Sequence, residues 1–335
     1  MYLFLVESPL QLIGALEASR VSGNQQSHFI IRFSGKNGND NQLRKLIKKY
    51  SLTRFTTFQM NTQGKLRTFK LIYVLTKFFA RYRTQCTRLY LGSFFSLWMR
   101  LLSVLLSKQD CWLLDDGTAT VWAYDKFFKK GDFSGGLGRF SFLVGALKLV
   151  GFQQDIEPTF NLFTFLTLQP VYGQLIVNHS YELARELFKG QHAHSVYGQG
   201  YFIGSSCSEK NLFSVTDEIA LIAKAKAIYD DRNMKMVYIA HRHDSETKKA
   251  MIHNILKVKV ISPDIPIELY FLESNEVPVS VAGFCSTALL TLQVLLNLNE
   301  IYSVVFDFSN LPPEVEAEYS ADYEYIERHG AKLIY

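Results

Sequence analysis

Short apolar runs alternate with amphipathic segments from the first residues of the chain. Tyr2–Val6 is an apolar run that ends at Glu7-Ser8-Pro9, and an apolar stripe at helical spacing follows over Leu10–Leu16. Ser8 can cap a helix, and Pro9 suits the first helical turn, where no backbone N–H is needed. The opening pattern therefore predicts a strand, a tight turn and a helix.

This alternation recurs in two stretches of the chain. Between them lie a glycine-rich region, Gly131–Gly138, and a predicted linker. The predicted strands are Tyr2–Val6, His28–Phe33, Arg54–Met60, Arg88–Leu91 and Cys111–Leu114, then Tyr201–Ile203, Met236–Ala240, Ile267–Leu272 and Ile301–Phe306. The predicted helices between them include Gln42–Tyr50, Leu66–Arg83, Phe94–Ser107, Thr216–Asp230, Ser245–Leu256 and Ser286–Leu296. Strands that alternate with helices predict parallel sheets covered on both faces. We expect an α/β chain of two doubly wound domains, 1–190 and 191–335, with the linker at Gly190–Gly200.

Length and composition agree with this organisation. The chain has 335 residues, enough for two domains at roughly 150 residues each. Hydrophobic residues make up 48% and charged residues 20%, which excludes an intrinsically disordered chain. Four scattered cysteines without CxxC spacing argue against a zinc ribbon or a disulfide framework and favour a reducing cytoplasm. Phe94–Ser107 is too short to span a membrane and is divided by Arg100, so we expect a soluble chain.

The net charge of +5 conceals a strong asymmetry along the chain. Between Asn41 and Gln109 there are 14 Lys or Arg residues and no Asp or Glu. The rest of the chain holds 36 − 14 = 22 basic residues against 31 acidic ones, a balance of −9. Such a stretch suits an anionic membrane surface or an anionic polymer, although a solvated basic helix face is the simpler alternative.

The first candidate for chemistry is Asp115-Asp116-Gly117, directly after the apolar strand Cys111–Leu114. Ligands of open α/β sheets bind outside the carboxyl ends of the strands. Because neighbouring residues on a strand point to opposite faces, one carboxylate can face a cleft while the other anchors the turn. A carboxylate there suits general-base work on a hydroxyl, and an ordinary Asp-rich turn is the alternative.

The second candidate is His241-Arg242, which follows a fully apolar predicted strand and precedes a helix. A His and an Arg beside a helix N-terminus make an anion site, because the helix adds free N–H groups and a positive end. The histidine can also donate a proton to a departing phosphate oxygen. The alternative is a solvated polar turn.

Further candidates are two hydroxyls at the start of a predicted helix, and a Gly-Ser pair and an acid at predicted strand ends. Ser286 and Thr287 begin a helix and can bind phosphate, although plain capping is the commoner role of such a serine. Gly204-Ser205 repeats this design after Tyr201–Ile203. Glu273 could accept hydrogen bonds from a ribose diol, with a surface glutamate as the alternative.

Taken in order, the motifs DDG, H-R-H and S-T resemble the motif series of bacterial sialyltransferases. That group carries a D/E-D/E-G motif, an HP motif and a paired Ser–Ser/Thr motif. It includes the lipooligosaccharide sialyltransferases of glycosyltransferase family 52 and the capsular polysialyltransferases. The opening LVESPLQLIGALEA, which contains Ser8 and Gln11, is also similar to that group, whereas Arg242 stands where the HP motif has proline.

The resemblance implies a GT-B fold, two Rossmann-like domains with the active site between them. The first domain would act on the acceptor and the second would bind the nucleotide sugar. It implies an inverting, metal-independent transfer from CMP-sialic acid, or another CMP-activated nonulosonic acid, to a glycan, with no cofactor. By this resemblance, Asp115 would be the general base and His241 the general acid or phosphate ligand. Ser286 and Thr287 would bind the phosphate, and Glu273 would bind the ribose. Further donor contacts would come from Gly204, Ser205 and Arg242, and supporting contacts from Asp116, Gly117, Ser8 and Gln11.

Two other functions remain open. One is a GT-B transferase with another donor, such as a UDP-sugar or CDP-glycerol. The other is a non-catalytic lipid- or nucleic-acid-binding module built on the basic stretch and its aromatic residues, although the aromatic face of Leu66–Tyr82 is expected to be core. The sequence lacks GxxxxGK[ST], GxGxxG after a strand, HEXXH and GxSxG, so P-loop, dinucleotide, zinc-protease and hydrolase sites are not expected. We expect a cytoplasmic enzyme that contacts the inner membrane face through residues 41–109 and binds no nucleic acid.

Overall fold

A computed structural model describes residues 1–23, 26–35, 37–60, 64–106, 110–133, 159–186, 194–274 and 276–335. The chain forms two compact units, Met1–Leu183 and Ala184–Tyr335, which we call unit 1 and unit 2. The predicted boundary between residues 190 and 191 lies outside the described residues, as does most of the glycine-rich region.

Unit 1 is built on one parallel sheet of seven strands. Its order is β3-β2-β1-β4-β5-β6-β7. The strands are β1 Tyr2–Val6, β2 His28–Phe33, β3 Phe55–Gln59, β4 Arg88–Leu91, β5 Cys111–Leu114, β6 Phe160–Thr164 and β7 Ile176–Asn178. Sequence patterning predicted four of these strands with the observed bounds, because each is an apolar run closed by polar or glycine residues. The side chains of Leu3, Leu5 and Leu89 are fully buried in the core beside the sheet.

Helices follow the strands of unit 1, as predicted. The described helices are α1 Pro9–Val21, α2 Asn37–Lys49, α3 Gly64–Tyr82, α4 Leu97–Leu106, α5 Thr118–Lys126 and α6 Glu182–Glu186, the last of which spans the division between the units. The predicted start of α1 is confirmed, since the backbone N–H of Gln11 donates to Ser8 Oγ at 3.3 Å and Pro9 occupies the first turn. Within the described ranges, no helix is both long and apolar enough to cross a bilayer.

Unit 2 contains a parallel sheet of six strands in the order β10-β9-β8-β11-β12-β13. The strands are β8 His194–Ile203, β9 Lys235–Ile239, β10 Lys259–Ile261, β11 Glu276–Gly283, β12 Glu300–Val304 and β13 Lys332–Ile334. The helices are α7 Val215–Asp231, α8 Glu246–Leu256, α9 Ile267–Ser274, α10 Thr287–Leu296 and α11 Pro313–Arg328.

Two sequence-based assignments in unit 2 are wrong. Ile267–Leu272, predicted as a strand, lies in helix α9. The carbonyl of Pro266 accepts hydrogen bonds from the backbone N–H groups of Leu269 and Tyr270, which begins a helical turn. The predicted linker Gly190–Gly200 is wrong over its described part, because His194–Ile203 is a strand in the centre of the sheet.

Both sheets have the same strand order when their strands are numbered from the start of each unit. That order is 3-2-1-4-5-6, and in unit 1 a seventh strand follows. The order reverses between β1 and β4 in unit 1 and between β8 and β11 in unit 2. In doubly wound sheets, ligands bind outside the carboxyl ends of the strands at this switch point. The fold therefore directs attention to the residues that follow these four strands and their neighbours.

Candidate functional site

The Asp115-Asp116-Gly117 turn connects β5 to α5, and its conformation requires glycine. Gly117 has φ 75° and ψ −144°, a region that side chains at Cβ make unfavourable. Thr120 in α5 accepts a hydrogen bond from the backbone N–H of Asp116 at 2.8 Å. The two carboxylates have different surroundings, since Asp115 is buried and Asp116 is partly exposed.

Asp115 lies in the interior of unit 1, with 1% of its surface exposed. Its Oδ1 accepts a hydrogen bond from the Thr164 hydroxyl. Its Oδ2 accepts from the backbone N–H of Phe165 at 2.9 Å and lies 3.0 Å from Nε2 of His179. These contacts tie the end of β5 to the ends of β6 and β7. In this arrangement Asp115 anchors strands and presents no exposed oxygen to an acceptor hydroxyl.

Asp116 is the partly exposed carboxylate of the pair. Gln11 Nε2 donates to its Oδ1 at 2.7 Å, and the Gln11 Oε1 atom accepts the backbone N–H of Glu7 at 2.8 Å. Burial raises the pKa of Asp116, and the hydrogen bonds from Ser93 and Gln11 oppose that rise. An oriented carboxylate with a raised pKa is a stronger base than an ordinary aspartate and suits proton abstraction from a hydroxyl.

Gly92, after β4, gives Gln11 the space that this arrangement requires. A Cβ atom at position 92 would lie 2.8 Å from Cδ of Gln11 and 2.8 Å from the Leu5 carbonyl oxygen. Of the predicted supporting residues, Gln11 bonds to both Ser8 and Asp116, near the switch point between β1 and β4.

Glu7 is a site residue that the sequence reading did not select. Its Oε2 atom accepts hydrogen bonds from the Ser96 hydroxyl at 3.1 Å and the Trp98 indole N–H at 2.9 Å, and it lies 3.1 Å from Nε of Arg32. The residue directly follows β1 at the same edge of the sheet as Asp116. Its position immediately after a strand was the signal that could have identified it.

In unit 2, three loops leave the same edge of the sheet. Ile203 pairs with Ile239 on one side and with Gly283 on the other, so the loops after β9, β8 and β11 begin in register. Gly204 is the first residue after β8, and its N–H donates to the Ile239 carbonyl at 2.8 Å. A Cβ atom at position 204 would lie 2.8 Å from that same oxygen, which explains the glycine. The predicted residues Gly204 and Ser205 thus lie beside the loop that contains His241.

His241 is partly buried in the turn between β9 and α8, and burial together with nearby cations lowers its pKa to about 3. The cations that add to this effect include Arg242, Lys210 and Lys248. The backbone N–H of His243 donates to Nδ1 of His241 at 3.3 Å, so the neutral ring carries its proton on Nε2. Without a ligand, His241 is therefore a neutral hydrogen-bond donor, and a bound anion would raise its pKa toward the charged form.

Ser286 caps helix α10, and its Oγ accepts the backbone N–H of Ala288 at 3.3 Å. Capping, the alternative named from the sequence, is therefore the role that this structure displays. Thr287 is the first residue of α10, and both side chains are partly exposed. The first turn of this ten-residue helix still offers backbone N–H groups and a positive dipole end to an anion.

Glu273 does not occupy the strand end that its predicted role assumed. It is exposed near the C-terminus of α9, because the predicted strand is a helix. Glu268, in the first turn of the same helix, is partly buried, and its Oε1 accepts the Thr291 hydroxyl of α10 at 3.0 Å. Burial raises the pKa of Glu268, and the nearby Arg242 guanidinium opposes that rise. Glu268 is thus the acid that connects the His241 loop with α10.

A buried charge cluster supports the loops from behind, and the sequence reading missed it as well. Lys248 of α8 is fully buried, and its Nζ contacts carboxylates of Asp244, Glu218 and Glu209. We call these four residues the Lys248 cluster. A Lys at the fourth position of a predicted helix, beside two candidate loops, was the available signal.

Residues 185–305 match the family model of alpha-2,8-polysialyltransferase (POLYST), over about a third of the chain. This match confirms the resemblance to bacterial sialyltransferases. The matched segment contains all three loops at the edge of the unit 2 sheet. No curated protein sequence matches the chain significantly.

Solved structures of related architecture cover nearly the whole chain. S. aureus MnaA in a co-structure with UDP is 11% identical, with a TM-score of 0.56, covering 98% of this chain and 89% of that one. The glycotransferase of kitacinnamycin is 9% identical, with a TM-score of 0.53, and coverage is 99% and 86%. UDP-GlcNAc 2-epimerase of Methanocaldococcus jannaschii, in complex with UDP-GlcNAc and UDP, is 10% identical, with a TM-score of 0.52, and coverage is 100% and 89%. These similarities concern the fold alone, and they confirm the predicted GT-B class of two doubly wound units. Together with the family match, this fold supports a glycosyltransferase.

Proposed function

We propose that the protein transfers sialic acid, or a related nonulosonic acid, from its CMP-activated form to a glycan hydroxyl with inversion. One observation carries this proposal: the segment that matches the polysialyltransferase family also contains His241, Ser286 and Thr287 on loops at the ligand-binding edge of its sheet. A CMP donor presents a single phosphate, which one compact anion site can hold.

Unit 2 is assigned to the donor. When the bond between the sugar and the CMP oxygen breaks, negative charge grows on the phosphate and oxocarbenium character grows on the sugar. Nε2–H of His241, the hydroxyls of Ser286 and Thr287 and the N-terminus of α10 are donors that suit this phosphate. Gly204, Ser205 and Arg242 adjoin them, and Glu268, rather than Glu273, has the position for the ribose hydroxyls.

Acceptor activation is assigned to unit 1. Asp116 takes the proton of the acceptor hydroxyl while the hydroxyl oxygen forms a bond to the anomeric carbon on the face opposite CMP. The bond between that carbon and the phosphate oxygen breaks, and CMP leaves with the electron pair. Gln11 orients Asp116, and Asp115 anchors the turn on its other side.

The proposal requires no metal ion. A diphosphate leaving group commonly carries Mg²⁺ into a transferase site, whereas a monophosphate can be stabilised by positioned N–H and O–H donors. Transfer in the presence of EDTA should therefore match transfer without it.

We further propose that the basic stretch, residues 41–109, binds the surface of an anionic membrane. On α3, Phe69 and Tyr73 are one turn apart and 69% and 67% exposed. Lys77 and Arg81 are also exposed on this helix, whereas Phe78 and Tyr82 are buried in the core, as expected from the sequence. Exposed aromatic and basic side chains on one helix suit the headgroup region of anionic lipids. Such an enzyme would act at the cytoplasmic membrane face on lipid-linked precursors of lipooligosaccharide or capsule.

The test is transfer by purified protein from CMP-sialic acid to oligosaccharides ending in galactose or sialic acid, followed by mass spectrometry. Thermal shift with CMP, UDP and CDP-glycerol identifies the nucleotide. We expect CMP to stabilise the protein and transfer to follow. Stabilisation by UDP alone, with transfer from a UDP-sugar, would overturn the donor assignment. Salt-dependent RNA or lipid binding with no response to any nucleotide would overturn the enzymatic assignment.

A further inference from the structure

Lys248 joins two loops through Ser205 and Asp244, which are 39 positions apart in the sequence. Its Nζ donates to the Ser205 carbonyl oxygen at 3.0 Å, in the loop after β8. It also donates to Asp244 Oδ1 at 3.0 Å, in the loop after β9. The two loops leave adjacent strands, and a single ammonium group bonds to both of them.

The Asp244 carboxylate continues this connection to the backbone of His241. Its Oδ2 accepts the backbone N–H of His241 at 2.9 Å and the Tyr238 hydroxyl at 2.8 Å. A chain of contacts therefore runs from Ser205 through Lys248 and Asp244 to His241. The backbone of the donor-side histidine is fixed relative to the loop after β8.

Two further carboxylates contact the ammonium group, one on α7 and one in the connection between β8 and α7. Glu218 Oε1 of α7 lies 2.6 Å from Nζ, and Glu209 Oε2 lies 3.1 Å from it. Burial alone would lower the pKa of Lys248, but the bonds and charges of Glu218 and Asp244 raise it, so the ammonium stays charged. Glu218 also accepts the backbone N–H of Ser208, in the connection after β8, at 3.1 Å, and the described residues show no hydrogen bond from it to the His241 turn.

A contribution to folding stability does not by itself explain why these four charged residues lie together. A buried ion pair usually contributes little beyond a packed apolar pair, because removing the charges from water costs as much as their attraction gains. The oxygens that Lys248 contacts lie on three parts of unit 2: Ser205 and Glu209 in the connection after β8, Asp244 in the loop after β9, and Glu218 on α7. These contacts fix the three parts relative to one another. A site that stabilises phosphate charge needs its donors held in place before the reaction.

We propose that Lys248 is a positioning residue that holds the loops after β8 and β9 in one arrangement, so that the donors of both loops meet the donor phosphate together. This inference rests on the proposed function, because it assigns Lys248 and Asp244 to the phosphate side of that site. Lys248 does not contact the substrate and acts through Asp244 and the Ser205 carbonyl.

The test compares Asp244→Asn with Glu218→Gln, which each remove one buried carboxylate from Lys248. Only the first change interrupts the connection to His241. We expect Asp244→Asn to weaken CMP binding at least tenfold by calorimetry, and Glu218→Gln to leave it within about threefold. Lys248→Met should resemble Asp244→Asn, and Lys248→Arg should recover part of the affinity. Lys249→Met, at the neighbouring lysine that bonds to exposed Glu246, should match the wild type.

A second readout needs no ligand. Hydrogen exchange at the backbone amide of His241 should be at least tenfold faster in Asp244→Asn than in Glu218→Gln, measured on protein shown to be folded by circular dichroism. Equal CMP affinity and equal exchange in these two variants would overturn the positioning role. A wild type that binds no CMP would overturn the donor assignment instead, and the exchange rates would still decide the role of Lys248.

Discussion

The side-chain nitrogen of Gln11 lies 2.7 Å from Oδ1 of Asp116, although 105 positions separate the two residues. The contact joins the first helix of unit 1 to the turn after β5, and it leaves Asp116 partly exposed while Asp115 is buried. The proposed function therefore gives the two adjacent aspartates separable roles, one in chemistry and one in structure.

The first prediction separates these roles by mutation. Asp116→Asn should lower the transfer rate roughly a hundredfold or more, because a general base is lost, and should change thermal stability little. Asp115→Asn should lower the melting temperature, because a buried acceptor of three hydrogen bonds is altered. Rates from CMP-sialic acid and melting curves check both. If Asp115→Asn stays fully stable and loses transfer while Asp116→Asn remains active, the base is Asp115, as the sequence resemblance implied.

The second prediction concerns pH. The pKa of His241 is about 3 in the folded chain and about 6.5 when unfolded, so between these values the unfolded chain binds the extra proton. Above pH 6.5 the ring is neutral in both states, and the folded state keeps its full stability. As the pH falls below 6.5, protonation of the unfolded chain lowers the free energy of unfolding. Between pH 7.5 and 5.5 this group should reduce the free energy of unfolding by about 1 kcal/mol, after allowance for partial exposure. Urea unfolding of the wild type and His241→Gln at both pH values measures it, and parallel pH dependences would contradict the prediction.

The third prediction tests the glycine after β8. Gly204→Ala should destabilise unit 2 by about 1–3 kcal/mol and weaken nucleotide binding, because the new methyl group would meet the Ile239 carbonyl. Gly14→Ala is the matched control, since the helix interior at Gly14 has no atom within 4 Å of the added carbon. That change should stabilise the protein by roughly 0.5–1 kcal/mol. Chemical denaturation curves compare the two, and equal effects would contradict the close approach at Gly204.

The fourth prediction compares two glutamates on α9. Glu268→Gln should weaken CMP binding about tenfold, because Glu268 lies against α10, whose N-terminus is proposed to bind the phosphate. Glu273→Gln, at the exposed end of the same helix, should leave binding unchanged. Titration with CMP and with 2′-deoxy-CMP measures the contribution of the ribose hydroxyl. Loss of affinity in Glu273→Gln alone would restore the original assignment.

The fifth prediction concerns the exposed face of α3. The double change Phe69→Ser and Tyr73→Ser should reduce sedimentation with vesicles containing anionic phosphatidylglycerol, since both rings are exposed beside basic residues. Tyr172→Ser is the control, because Tyr172 is 65% exposed elsewhere in unit 1. Pure phosphatidylcholine vesicles should bind weakly throughout. Unchanged sedimentation of the double variant with anionic vesicles would remove this face from the membrane proposal.

The sequence was sufficient to predict those features of the fold and of the candidate site that depend on a local pattern of residues. The strand–turn–helix at Ser8 and Pro9 follows from capping and from the proline ring, which both act within one turn. The rule that ligands bind after parallel strands also led to His241 and Gly204, because an apolar run followed by polar residues is visible without any tertiary contact. Ser286 was selected only as the start of a predicted helix.

Other features depend on tertiary contacts and could not be predicted in this way. The first part of β8 contains Gly198 and Gly200, which weaken a strand pattern, and a Cβ at Gly200 would meet the ring of Tyr229, 29 residues later. Strand β11 contains Pro278 at a register irregularity beside β8, so it did not resemble a central strand. The partners of Asp115 lie 49 or more residues away, and those contacts alone make it a structural residue.

The position of β8 has a consequence for synthesis of the protein. This strand lies between β9 and β11, and the ribosome makes β9 soon after it but makes β11 only from Glu276 onward. Until then, a nascent polypeptide carries the longest strand of its second sheet with one row of peptide groups unpaired, a template for association with other chains. Truncations that end before Glu276 should therefore accumulate in inclusion bodies, whereas those that retain β11 should have this edge closed.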